Sequence, residues 1–114
     1  VQLINKFSWR RASASGSKDV AVQHMLSTDG QIVHDDFFAC SQFDVRDRLG
    51  EISVPTLVVG GSEDKMMPLK QSEALVEGIA NAELLLIEDA GHYMMVDISS
   101  KVSRGLVKFL NELG

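Results

Sequence analysis

Cysteine, proline and aromatic residues are scarce in this sequence of 114 residues, which has one cysteine, two prolines and 6% aromatic residues. The single cysteine, Cys40, excludes a disulfide within the chain and the clustered thiols of a structural metal site. No uninterrupted apolar run approaches the roughly 18 residues that indicate a membrane-spanning helix. These absences favour a reducing compartment, and we expect a cytoplasmic protein that does not associate with a membrane.

Basic residues are also few. The chain has 11 Lys and Arg against 16 Asp and Glu, with a net charge of -5 and a pI near 5.0. A nucleic-acid surface needs clustered positive charge, and the pair Arg10-Arg11 is too small to provide it. We therefore expect no nucleic-acid partner, and the sequence indicates neither a cofactor nor a metal ion.

The most informative stretch contains two apolar segments separated by a helical one. A strand is predicted over Val54–Val59, a helix over Leu69–Ala80 and a second strand over Ala82–Glu88. A right-handed crossover through the helix makes the two strands parallel neighbours, so that the loops after them leave the same sheet edge. Asp64 follows the first strand and His92 follows the second, which predicts that their side chains meet.

Helices are predicted on both sides of this stretch. Their ranges are Val1–Trp9, Lys18–Leu26 with Ser17 as N-cap, Ile32–Ser41, and the amphipathic Ile98–Leu113. We expect Cys40, inside the third of these helices, to be a small buried apolar residue. His24 and His34 are expected to be ordinary surface or satisfied histidines.

Motifs at the two loops give a more specific interpretation. The sequence has Gly61-Ser62-Glu63-Asp64, then Pro68, a helix, a strand and Gly91-His92. From about Phe43 to Leu113 it resembles the C-terminal part of an alpha/beta-hydrolase. The resemblance implies an α/β fold in which residues 1–43 form a helical cap-like segment. Residues 44–114 would then form the C-terminal part of the hydrolase core, a parallel β-α-β-α unit.

The same resemblance implies roles for the loop residues. Asp64 would be the acid of a catalytic triad and His92 its general base, with Glu63 as the weaker alternative for the acid. The nucleophile of this family lies on a Gly-x-Ser-x-Gly turn that precedes the acid and the histidine. These 114 residues contain no such turn. We therefore expect a C-terminal fragment that is inactive alone, with a serine, or less often aspartate or cysteine, nucleophile supplied by a missing N-terminal part.

Four methionines flank the two loops in pairs: Met66, Met67, Met94 and Met95. Unbranched thioether side chains suit an adaptable apolar pocket, which would bind a small acyl or ester-like substrate. They could equally fill gaps in the core.

A non-catalytic module for self-association or partner binding is the alternative function. The outer edge of the Val54–Val59 strand would lack a neighbour, and unpaired strand edges recruit other chains. The missing N-terminal part or a second copy of the chain could fill this place, and we expect a homodimer.

Overall fold

Two parallel strands lie at the centre of the computed structural model, which describes residues 7–9 and 15–114. In chain order the helices and strands are α1 (Ser15–Ser27), α2 (Gly30–Gln42), a 3₁₀ helix (Arg46–Glu51), β1 (Thr56–Gly61), α3 (Leu69–Gly78), β2 (Ala82–Ile87), α4 (Met94–Asp97) and α5 (Ser99–Leu113). The predicted helix over Val1–Trp9 falls largely outside the described residues. The β-α-β-α order predicted for the second part of the chain is confirmed, with the short helix α4 as an addition.

The sheet has the predicted parallel pairing. Its register runs from Thr56 opposite Ala82 to Gly61 opposite Ile87, and α3 makes the crossover between the strands. β1 begins and ends two residues later than predicted. It continues through its terminal glycines because the backbone after β2 lies against them, and Ser62 N donates to the Ile87 carbonyl at 3.1 Å.

Local hydrogen bonds define the ends of the first two helices. The Asp29 carboxylate accepts from Gln31 N at 2.7 Å and caps the start of α2. At the end of α1, the hydroxyls of Ser27 and Thr28 donate to the His24 carbonyl at 2.8 and 3.0 Å. These bonds connect residues at most four positions apart, so short-range sequence signals suffice to place both ends.

The apolar core lies between the sheet and the C-terminal helices. Its buried members are Ile87, Ala90, Met94 and Val102, with Val59, Leu85 and Ile98 packed against them. A Cβ on Gly105 would overlap the Leu85 side chain, so α5 approaches the sheet closely at this glycine. The core therefore lies directly behind the edge from which the two loops emerge.

Much of the remaining apolar surface faces water. Helix α2 has no buried residue, and Phe38 on it is 60% exposed. Cys40 is exposed, so the prediction that it is buried was wrong. The reason is that none of the described elements covers the apolar side of α2. On α5, Val102 is buried while Leu110 is 62% exposed, so only the first part of the predicted stripe meets the core.

Candidate active site

Backbone hydrogen bonds fasten the loop after β1 to the loop after β2. Glu63 N donates to the Ala90 carbonyl at 2.8 Å, and Asp89 N donates to Ser62 Oγ at 2.9 Å. Asp89 has a φ of 57°, a left-handed conformation that aspartate tolerates better than most residues. A Cβ on Gly61 would overlap the Ala90 carbonyl, so only glycine permits this approach. We call the two segments the acid loop (residues 62–68) and the histidine loop (residues 88–93).

The Asp64 carboxylate is buried and is bonded through both oxygens. Its side chain is 4% exposed, and Oδ1 accepts from Met66 N at 2.9 Å and Met67 N at 2.8 Å. Two backbone donors on one oxygen fix the plane of the carboxylate and compensate for its removal from water. The second oxygen is thereby left facing the histidine loop.

The imidazole of His92 occupies that position. Its Nδ1 lies 2.9 Å from Asp64 Oδ2, which confirms the predicted meeting of the two side chains. A carboxylate can only accept, so Nδ1 carries the hydrogen, and in the neutral ring Nε2 keeps its lone pair. The His92 side chain is 35% exposed, and no bond to Nε2 occurs within the described part of the chain. This arrangement suits a general base whose tautomer is set by an acid.

One aromatic residue near the site was missed by the sequence analysis. Trp9 is 8% exposed and lines a cavity of about 310 Å³ together with the acid-loop residues Ser62, Glu63, Asp64 and Lys65. Its ring centroid lies 5.0 Å from that of Tyr93 on the histidine loop. Its only sequence signal is that it is the single tryptophan of the chain.

The four methionines occupy three kinds of environment. Met94 is 5% exposed and belongs to the core, whereas Met67 and Met95 are about half exposed. Met66 is partly buried, and its Sδ accepts a hydrogen bond from Ser8 Oγ at 2.8 Å. Met94 therefore fills the core. Contact of the four methionines with a substrate stays a prediction.

The other candidate groups lie apart from this pair. His24 is exposed on α1, and the exposed His34 pairs with Asp35 at 3.0 Å. Among the described residues, no three His, Cys, Asp or Glu side chains gather as a metal site requires. None of the described helices has both the length and the apolar character needed to cross a bilayer.

Comparisons with known proteins place this geometry in a family. Residues 8–97 match the family described as the alpha/beta hydrolase fold. A protein of Pseudomonas savastanoi pv. phaseolicola, to which a carbamate hydrolase function (RutD) has been assigned, is 34% identical over 93 residues, covering 80% of this chain and 34% of that protein. A 2-hydroxy-6-oxononadienedioate/2-hydroxy-6-oxononatrienedioate hydrolase of Paraburkholderia xenovorans is 40% identical over 63 residues, covering 55% of this chain and 22% of its own length.

A solved structure extends the similarity to nearly the whole chain. A thermophilic esterase superposes with a TM-score of 0.87 at 30% identity, over 99% of this chain and 45% of the esterase. The chain thus spans less than half the length of each of these three proteins. The matched residues, the parallel strands and the paired loops lead to one conclusion: the chain belongs to the alpha/beta hydrolase fold family.

Proposed function

We propose that this chain contributes the acid and the histidine of a catalytic triad that hydrolyses ester or related acyl substrates. The observation that carries the proposal is the Asp64 Oδ2 to His92 Nδ1 contact of 2.9 Å between two loops at one sheet edge. The family members that it resembles are hydrolases, named for carbamate, ester or oxo-dienedioate substrates. We propose that residues 1–43 act as a cap and residues 44–114 as the C-terminal part of the core.

In the proposed reaction, His92 Nε2 takes the proton of a nucleophile hydroxyl as its oxygen attacks the acyl carbon. Asp64 stabilises the imidazolium that forms and keeps the ring in the productive tautomer. The same Nε2 then donates its proton to the leaving group, and a water molecule releases the acyl group by the reverse sequence. These two residues determine proton transfer and leave the choice of substrate to the pocket.

The nucleophile in this proposal lies outside these 114 residues, since they contain no Gly-x-Ser-x-Gly turn. The chain alone should therefore show no His92-dependent cleavage of short p-nitrophenyl esters. Turnover by the purified chain that disappears in His92→Ala would contradict this expectation. Slow cleavage that survives the substitution would reflect unspecific surface nucleophiles.

A chimera tests the catalytic roles directly. This chain would replace the matching 45% of the thermophilic esterase, whose remaining part would supply the rest of the fold. We expect ester hydrolysis that falls on the order of 10³-fold or more in Asp64→Ala and in His92→Ala. His34→Ala, at an exposed histidine on α2, is the matched control and should leave the rate unchanged. A folded, active chimera that is indifferent to His92→Ala would refute the proposal.

Exposed apolar surface favours self-association as a second candidate. Large apolar side chains on three described helices are more than half exposed, among them Val20 on α1, Phe38 on α2 and Leu110 on α5. A standard interface buries roughly 800 Å² per partner and could cover several such side chains. We propose that a second copy of the chain covers part of this apolar surface, with the outer edge of β1 at the interface.

The ladder bonds indicate which residues would form that edge. Thr56 N and Ser62 N both donate to the β2 side, at 2.9 and 3.1 Å. Because every second residue of a parallel strand bonds to the same neighbour, Val58 belongs to the β2 side and Leu57 faces outward. Proline substitutions at Leu57 and at Val58 therefore test assembly and folding separately.

Leu57→Pro replaces a partly buried side chain and removes an outward backbone donor, but it breaks no bond of the β1–β2 ladder, so it should convert the dimer to a folded monomer. Val58→Pro removes an internal ladder bond and should destabilise the fold itself, by about 1–3 kcal/mol for the carbonyl left without a donor. Light scattering and circular dichroism measure the two effects. A parent chain that is monomeric at micromolar concentration, or a dimer that persists in Leu57→Pro, would contradict assembly through this edge.

A further inference from the structure

A short N-terminal segment packs against both loops of the candidate site. Phe7–Trp9, which we call the clamp segment, lies more than fifty positions before Asp64 in the sequence. Ser8 has no exposed surface, and Trp9 is 8% exposed. Burial of both residues requires neighbours from other parts of the chain, and the contacts of Ser8 and Trp9 reach both the acid loop and the histidine loop.

The first set of contacts holds the histidine loop. Tyr93 N donates to the Ser8 carbonyl at 3.1 Å, and the rings of Trp9 and Tyr93 lie 5.0 Å apart at 42°. The Tyr93 ring in turn meets the His92 imidazole edge-on, with centroids 5.8 Å apart. The residue after the general base is thus fixed through its backbone and its ring, and it supports the imidazole from one side.

The second set of contacts holds the acid loop. Ser8 Oγ donates to Met66 Sδ at 2.8 Å, and Met66 N donates to Asp64 Oδ1 at 2.9 Å. Trp9 also forms a wall of the cavity to which Asp64 and Lys65 contribute. One side of the clamp segment therefore touches the acid loop while another touches the histidine loop.

We infer that Ser8 and Trp9 are positioning residues that hold the acid loop and the histidine loop in the alignment that keeps His92 Nδ1 on Asp64 Oδ2. The His92 side chain is 35% exposed, and among the described residues its ring is held by this hydrogen bond and by the Tyr93 edge. A displacement of about 1 Å in such a pair costs on the order of 10²-fold in rate. The inference rests on the proposed function only for its catalytic consequence, because the alignment itself can be measured without activity.

The measurement is hydrogen exchange of the His92 Nδ1–H in the 114-residue chain with ¹⁵N-labelled histidine. His92→Gln identifies the signal among the three histidines. We expect Trp9→Leu, which keeps an apolar side chain but removes the aromatic ring, to speed exchange of this proton at least tenfold. Trp9→Phe restores a ring against Tyr93 and should return the exchange rate to within about threefold of the unmodified chain.

Ile79→Ala is the matched control for lost stability. Ile79 is 4% exposed and lies before β2, at the end of the sheet opposite the loops. In Ile79→Ala, the exchange rate of the His92 proton should stay near that of the unmodified chain. Ile79→Ala, Trp9→Leu and the unmodified chain are each measured at the same number of degrees below their own melting temperatures.

The outcomes separate the two proposals. A protected His92 proton in the unmodified chain, with equal exchange in Trp9→Leu and Ile79→Ala, overturns the clamp and leaves the acid and histidine pair intact. No protected proton in the unmodified chain overturns the pair, and with it the clamp. Should Trp9→Leu fail to fold, Ser8→Ala decides, because it removes the hydroxyl that bonds to Met66 Sδ while keeping the Ser8 carbonyl that accepts from Tyr93 N. Ser8→Ala with unchanged exchange then contradicts the inference.

Discussion

The loop edge of the sheet and the first two helices differ in how their structure is determined. At the loop edge, the principal bonds join residues far apart in sequence, such as Asp64 and His92, which are 28 positions apart. In α1 and α2, the side-chain hydrogen bonds between described residues join positions at most four apart. Tertiary contacts therefore determine the first region, whereas local sequence signals determine the second.

Burial follows the same division. Ile87 and Ala90 behind the loops are 4% and 0% exposed, whereas Val20 on α1 and Phe38 on α2 are 64% and 60% exposed. Burial of apolar surface contributes about 25 cal/mol per Å², so α1 and α2 gain little from the contacts of the described chain. The same substitution should consequently have different effects in the two regions.

Glycine to alanine should give the largest contrast. In Gly61→Ala the new Cβ would overlap the Ala90 carbonyl, and displacing backbone should cost about 3 kcal/mol of unfolding free energy. In Gly30→Ala nothing lies within 4 Å of the new Cβ, and the reduced freedom of the unfolded chain should stabilise the protein by about 0.5 kcal/mol. Urea unfolding of both variants measures the difference. Equal effects would show that the two loops are not in close contact in solution.

Aspartate to asparagine should give a smaller contrast. Asp64→Asn removes the charge from a buried group that accepts three hydrogen bonds, which should cost about 2 kcal/mol. Asp29→Asn keeps an N-cap of similar strength on an exposed helix and should change stability by less than about 0.3 kcal/mol. Thermal unfolding at neutral pH tests this pair. A loss at Asp29 as large as the loss at Asp64 would contradict the assigned difference in burial.

The smallest contribution to folding stability is expected from the exposed Asp44–Arg46 pair, in the segment that joins α2 to the 3₁₀ helix. Hydrogen bonds from the Arg46 side chain and backbone lower the pKa of the Asp44 carboxyl from 3.8 to about 2. A lowered pKa stabilises the folded state above pH 4, and this contribution is lost as the pH falls from about 4 to about 2. The ion pair is exposed, so water and salt screen it.

Carboxyl ¹³C NMR can follow Asp44 directly. We expect a midpoint near pH 2 in the unmodified chain, returning towards 3.8 in Arg46→Gln. Arg48→Gln is the control, because Arg48 bonds to Glu51 and should leave the Asp44 midpoint in place. An unchanged midpoint in Arg46→Gln would contradict the assigned pairing.

The sequence predicted the acid and histidine pair because two short-range patterns combine there. The first pattern is an apolar strand followed by glycines and an acid, and the second is a strand followed by Gly-His. Once the strands are parallel, both side chains lie at one edge of the sheet. The burial of Cys40 was predicted wrongly, and the position of Trp9 near the site was not predicted. The opposite reason applies to both. Whether a helical residue is covered, and which distant segment reaches a loop, depends on packing that has no local signature.

The sequence by itself therefore determined the β-α-β-α order, the approximate helix boundaries and the identity of the two loop residues, since these follow from periodicity and turn chemistry. Only the tertiary structure decided that β1 extends to Gly61 against Ala90, that the later part of the α5 stripe is mostly exposed, and that the clamp segment reaches both loops. Each of these depends on close approach between segments distant in sequence, where one missing Cβ or one ring contact selects the arrangement.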